Sequence, residues 1–330
     1  MKMETIRGIA KASGVHPGEL ILVHFWGEDE EKHIANQFMC AVAELGAAPI
    51  LLQQARTMNQ SLFAGAADQC FGDKYFEVIS SVDAVLDIFS YQPIILGGKI
   101  GEQGMARYRT YIARLFHCLM KAKRFAQIRI PTRANAEESG LEEEEYIWRM
   151  QNAYDVDYDQ LQAACERYRK ELMNRGQLTL RTGADCQLEF ELSGREWHID
   201  AGDGDWPCGE IYIAPVEEYT RGDVYFECLH LEEQGVCEQV IIHVEGGRAV
   251  SSSHKAVDKL LRELSEENAV VCELGFGMNP NVKDLCGYRV LDEKMAGTFH
   301  IALGANHMFG GKNAAPMHLD LVGAGPFAVE

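Results

Sequence analysis

His318-Leu319-Asp320 places an imidazole and a carboxylate two residues apart near the C-terminal end of the chain. On a strand, side chains two apart share a face, so both polar groups point one way and Leu319 the other. Upstream, His300 stands in the strand-like run Thr298-Phe299-His300-Ile301-Ala302-Leu303, ahead of the glycine-rich stretch 304–311. Glu273 interrupts the apolar run Val270-Val271-Cys272-Glu273-Leu274, and Glu210 stands between Cys208-Gly209 and Ile211-Tyr212-Ile213. A carboxylate in a buried strand is costly unless it is paired or bound to a metal. Three carboxylates and two imidazoles form a donor set suited to two divalent ions bridged by carboxylate oxygens. Each residue alone also reads as part of a solvated face, and His-x-Asp is common by chance. The set within one β-rich region is what points to a metal.

Other chemistries find less support. Neither a G-x-G-x-x-G loop nor a Walker A loop occurs, since Gly310-Gly311-Lys312 is followed by Asn313 and lacks the earlier glycine. There is no G-x-S-x-G elbow. The 10 cysteines are scattered without a C-x-x-C pair, and read as small hydrophobes in a reducing compartment. His16, His24, His33 and His117 are isolated and read as surface or core histidines. Glu142 to Glu145 are consecutive, so on a helix they point in different directions; they read as a solvated helix start favoured by the helix dipole.

The elements that must position these residues fall into three regions. In residues 1–135, strand-like runs at 19–26, 48–52, 84–89 and 125–130 alternate with helical spacing at 29–45, 74–80 and 107–120. That alternation predicts βαβ units and an open, largely parallel sheet, an α/β domain. Residues 136–176 are helical and highly charged and form a connector. Residues 177–330 turn to short strands with glycine-rich connections and one helix at 253–264, which predicts a β-rich α+β domain carrying the candidate ligands.

Composition narrows the partners. With 50 acidic against 31 basic residues in 330, the formal charge is −19, which argues against nucleic acid and anionic membrane surfaces. No apolar run approaches the ~20 residues of a spanning helix. The N-terminal Met-Lys-Met-Glu-Thr-Ile-Arg segment reads as a short amphipathic helix without a secretory core, so a cytoplasmic protein is expected.

An ordered series of blocks then carries a resemblance over almost the whole chain. Pro131-Thr132 precedes Gly140-Leu141-Glu142; Trp206-Pro207-Cys208-Gly209-Glu210-Ile211 and Ala214-Pro215-Val216-Glu217 follow. Cys272-Glu273-Leu274-Gly275-Phe276-Gly277-Met278-Asn279-Pro280, Asp292-Glu293-Lys294, Gly297-Thr298-Phe299-His300-Ile301-Ala302-Leu303-Gly304 and Gly310-Gly311-Lys312-Asn313 complete the series before His318-Leu319-Asp320. In these blocks the sequence resembles the aminopeptidase T / aminopeptidase S / PepS family of metallopeptidases. The resemblance implies an α/β domain followed by a β-rich catalytic domain, and homodimers that enclose the active sites and admit small peptides. It implies a dinuclear centre of Zn, Co or Mn held by Glu210, Glu273, His300, His318 and Asp320, and release of amino-terminal residues by metal-activated water. His307 and Glu217 are the candidates for proton transfer.

Two departures bear on that expectation. Where the family usually has tyrosine, seven residues after the His300 position, this chain has His307, which is open to reading as an extra ligand, an acid–base group or a polar substitute. The loop from His307 to His318 is also shorter than in typical members. Lys294 reads either as an oxyanion-stabilising cation or as a surface or structural ion pair. The alternative activity is ring cleavage by a mononuclear Fe(II) enzyme of the dihydroxypyridine dioxygenase kind, with His300, His318 and Asp320 as a facial triad.

Overall fold

The computed structural model describes residues 1–93, 100–183, 185–202 and 204–330. Two compact units divide the chain: Met1–Tyr158 with Gly202–Pro207, and Asp159–Ala201 with Cys208–Glu330. No helix among the described residues is long and apolar enough to cross a membrane.

In the first unit the strands β1 (Leu20–Trp26), β2 (Ala48–Gln53), β3 (Ala84–Phe89) and β4 (Arg124–Arg129) are all parallel, in the order β2-β1-β3-β4. The central pair read Leu-Ile-Leu-Val-His-Phe-Trp and Ala-Val-Leu-Asp-Ile-Phe, and are buried apart from half-buried Leu20. Continuous apolar runs of this kind belong to strands covered on both faces by crossover helices. His24 is one of the isolated histidines; it is fully buried, with Nδ1 2.8 Å from Asp87 Oδ1, to which Trp26 Nε1 also donates. The helix Arg56–Gly65 escapes the periodicity reading because it offers only Asn59 and Phe63 to the interior.

The connector region is helical at Arg133–Ser139, Glu143–Tyr154 and Tyr158–Leu172. Thr132 caps the first of these by accepting from Asn135 N, and Gly140 ends it in the left-handed conformation.

The second unit holds two antiparallel sheets. After β5 (Gln177–Thr182), β6 (Cys186–Glu191) and β7 (His198–Asp200), the chain passes through β8 (Asp205–Trp206), a two-residue strand that pairs parallel with β4 and completes the first unit's sheet. It then forms β9 (Glu210–Ile213), β10 (Arg221–Leu231), β11 (Gly235–Glu245), β12 (Arg248–Ser252), β13 (Val271–Gly277), β14 (Thr298–Gly304), β15 (His318–Ala324) and β16 (Phe327–Val329). One sheet runs β12-β11-β10-β6-β5-β16 and the other β15-β14-β13-β9-β7. β5, β6, β10 and β11 alternate buried and exposed residues in the main, whereas β13 and β14 are buried throughout. Aromatic contacts join the two sheets: Phe226 meets Phe299 with ring centroids 5.5 Å apart, and Phe276 stacks on Phe327 at 5.7 Å. A parallel α/β layer in the N-terminal region and antiparallel sheets in the C-terminal region agree with the fold class expected from the sequence.

Candidate metal centre

Four strands of the five-stranded sheet bring Glu210, Glu273, His300, His318 and Asp320 onto one face, and their register explains how. Residues directly opposite in an antiparallel pair share a face. Glu210 on β9 lies opposite Gly277, and His300 on β14 opposite Gly275 on β13. Glu273 and Asp320 both lie opposite Ala302, and His318 opposite Gly304. Every candidate ligand therefore has a glycine or alanine opposite it on at least one neighbouring strand. The intervening residues Ile211, Leu274, Phe276, Ile301 and Leu321 point the other way and are buried.

The five side chains form two groups that meet at Glu273. Glu273 Oε1 lies 3.1 Å from His300 Nε2, which is 3.5 Å from Glu210 Oε2. Glu273 Oε2 lies 3.7 Å from His318 Nε2, which is 3.2 Å from Asp320 Oδ1. Donor atoms of Glu273, His318 and Asp320 all fall within 4.8 Å of one another, close enough to hold one ion. His318 Nδ1 is 2.8 Å from the carbonyl of Ala305. A carbonyl can only accept, so Nδ1 carries a proton and Nε2 is the atom available to a metal.

The electrostatics fit a divalent cation. Burial pushes both imidazoles down, yet the hydrogen bond to Glu273 and the charge of Glu210 raise His300 to about 9. The hydrogen bond to Asp320 carries His318 to about 12. Imidazoles that bind protons this firmly mark a place where positive charge is stabilised, and a metal ion meets the same demand. Glu210 Oε2 is buried and has no hydrogen-bond partner among the described residues. An orphaned carboxylate oxygen aimed at His300 is unfavourable in a dry interior and favourable as a ligand.

Lys294 belongs to the same cluster and is not at the surface: it is 2% exposed, donates to Glu210 Oε1, and lies 3.0 Å from Glu293 Oε1. Asp200 Oδ2 is 3.5 Å from its ammonium. Sequence reading singled out neither Asp200 nor Glu293, because each is a plain acidic residue until the register of β7 and β9 places Asp200 opposite Glu210.

The two proton-transfer candidates are engaged with other groups. Glu217 Oε2 is 2.5 Å from Arg195 Nη2, and Oε1 accepts from Lys312 N at 2.6 Å. Arg195 also donates to the carbonyl of Gly310, so the pair fastens the segment leading into β15. Burial alone raises Glu217, but the Lys312 amide and the Arg195 charge hold its carboxyl below the ordinary range. His307 is exposed on a short 3₁₀ turn, His307–Phe309, with Nδ1 3.3 Å from the carbonyl of Asn313. Phe309 of that turn packs edge-on to His318 and to Tyr212, at centroid distances of 6.1 and 5.5 Å.

Solved structures share the fold at low sequence identity, among them these two. The 2,5-dihydroxypyridine dioxygenase of Pseudomonas putida KT2440 aligns with a TM-score of 0.68 and 15% identity, covering 99% of this chain and 92% of that one. Wild-type AmpT from Thermus thermophilus aligns with a TM-score of 0.67 and 18% identity, covering 99% and 94%. No curated protein sequence matches the chain. The sequence profile of the thermophilic metalloprotease (M29) family matches residues 9–324, including every residue of the cluster, and the chain therefore belongs to that family of metal-dependent peptidases.

Proposed function

We propose that the protein is an aminopeptidase that releases amino-terminal residues from small peptides, using two divalent ions held by Glu210, Glu273, His300, His318 and Asp320. The observation that carries this reading is the division of Glu273 between two imidazoles. One carboxylate oxygen faces His300 and Glu210, the other faces His318 and Asp320. A carboxylate with an imidazole and a second carboxylate on each side suits a bridging ligand. Ions bound there would supply a Lewis acid for the scissile carbonyl and a hydroxide nucleophile near neutral pH.

The chain's own residues do the rest. Glu273 fixes the spacing of the two half-sites, and His300 and His318 supply neutral nitrogen donors once their protons are displaced. The Ala305 carbonyl sets the orientation of His318. His307, exposed on its 3₁₀ turn, is the group proposed for proton transfer, whereas Glu217 is held by Arg195 and the Lys312 amide and fastens the segment leading into β15. Zn, Co and Mn all suit this mixed oxygen and nitrogen donor set. The family resemblance also supports a homodimer that limits access to small peptides.

The test is metal stoichiometry on protein reconstituted without oxygen, separately with Zn, Co, Mn and Fe(II), followed by hydrolysis of dipeptides and aminoacyl amides. About two ions per chain and amino-acid release support the proposal. One ion, selective for Fe(II), with oxygen consumption on a dihydroxypyridine, would instead establish a ring-cleaving enzyme on His300, His318 and Asp320. That outcome would leave Glu210 as a buried carboxylate oxygen with no ion to bind.

A further inference from the structure

We propose that Lys294 is a positioning residue of the metal centre: its ammonium reserves one oxygen of Glu210 and so turns the other toward His300. The inference rests on the metal-site reading above and deepens it.

A lysine that is 2% exposed is rare, and burial obliges its three N–H donors to find partners. Among the described residues it has three carboxylates within 4 Å, those of Glu210, Glu293 and Asp200. Two of them, Asp200 and Glu210, stand directly opposite each other across β7 and β9. Like charges in that position repel, and a cation shared between them removes the repulsion. The ammonium is therefore placed where it lets an acidic pair sit side by side.

The backbone around Lys294 is fixed by the segment that leads into Glu210. The Lys294 carbonyl accepts from Asn279 N at 2.8 Å, and Asn279 Nδ2 donates to the carbonyl of Cys208 at 2.9 Å, two residues before Glu210. Lysine and glutamate are thus registered through a short chain of hydrogen bonds rather than by two flexible side chains meeting. With Oε1 of Glu210 taken, the orphaned Oε2 is the oxygen left to face His300 Nε2, 3.5 Å away. Glu210 would then offer an ion one oxygen rather than two.

Lys294→Met removes the ammonium and keeps the volume. Stripped wild type and variant are titrated with Co²⁺, reading affinity by competition with a coloured chelator and coordination by visible absorption, alongside dipeptide turnover. The expected result is an affinity loss of about 10–100-fold for the ion nearest Glu210, with a changed Co²⁺ spectrum. Ethylammonium added to Lys294→Ala should restore part of both. If the single variants fail to fold, the charge-balanced double variant Lys294→Met/Asp200→Asn should fold and still show the changed spectrum. A folded Lys294→Met with wild-type affinity and spectrum overturns the inference alone. A wild type that takes up no Co²⁺ overturns the metal-site reading and this inference with it.

Discussion

Glu273 decides between one ion and two, because its oxygens face different imidazoles, 3.1 Å from His300 and 3.7 Å from His318. For the proposed two-ion centre, Glu273→Gln should therefore lower the content of both ions together, while Glu210→Gln should lower only one; mass spectrometry of reconstituted protein reads the difference. Loss of a single ion in Glu273→Gln would remove the bridging role. Glu217 is a different case, since its carboxylate joins Arg195 to the Lys312 amide. Glu217→Gln should cost about 1–3 kcal/mol at neutral pH, measured by thermal melting. Its folded pKa lies below the ordinary value, so this stabilisation is present above the ordinary glutamate range. It is lost as the pH falls through the lower folded value, and the two melting curves should converge in acid. If the curves stay apart there, the charge of Glu217 is not what fastens the loop. His307→Ala, by contrast, should lower turnover by about 10²-fold or more with metal content unchanged. A large loss of metal would make His307 a ligand.

At the scale of elements, β13 and β14 put small residues opposite the candidate ligands. Gly275 is the sharpest instance: a Cβ there would stand 2.0 Å from His300 Nε2. His300 is fully buried and 3.1 Å from Glu273 Oε1, so moving its ring aside would break that contact. Gly275→Ala should lower metal content as severely as loss of a ligand, although alanine suits a strand better than glycine; metal analysis beside circular dichroism checks it. A folded Gly275→Ala with full metal content would show that the ring can move. This packing rule also explains what the sequence disclosed. Glu210, Glu273 and the His318–Asp320 pair stand out because a polar residue in an apolar strand run demands a partner. The role of Gly275 and Ala302 is invisible until strand register is known, since small residues in strands have many causes. Lys294 lies in an acidic run, Asp292-Glu293-Lys294, whose local composition looks solvated. Only tertiary packing buries it. β8 escaped for a related reason: two residues are too few for any periodicity, and its pairing with β4 spans about 80 positions of sequence.

For the whole molecule, every candidate ligand belongs to the second unit, Asp159–Ala201 with Cys208–Glu330, and none to the first. Ligand binding stabilises the state that binds, by about 4 kcal/mol for each site at a free-ion concentration a thousandfold above Kd. In the five-stranded sheet that free energy opposes a specific cost. The ion-free cluster crowds Asp200, Glu210, Glu273, Glu293 and Asp320 around one lysine and two histidines. Burial raises Glu210 to about 8 and raises Glu293 as well, so without an ion the cluster holds its acids together by keeping protons on them and on the imidazoles, a cost that favours local opening. Hydrogen exchange with and without Zn²⁺ should therefore show slower exchange on metal addition in β9, β13, β14 and β15. Amides of β1 and β3 should exchange at the same rate in both states. Where exchange requires opening of the ligand sheet, the retardation should reach roughly 10³-fold, the rate equivalent of about 4 kcal/mol. Equal retardation in the parallel sheet would mean that the metal's free energy is spread over both units. No retardation anywhere would mean that the acidic cluster is already satisfied without an ion, through protons on His300 and His318 and the ammonium of Lys294.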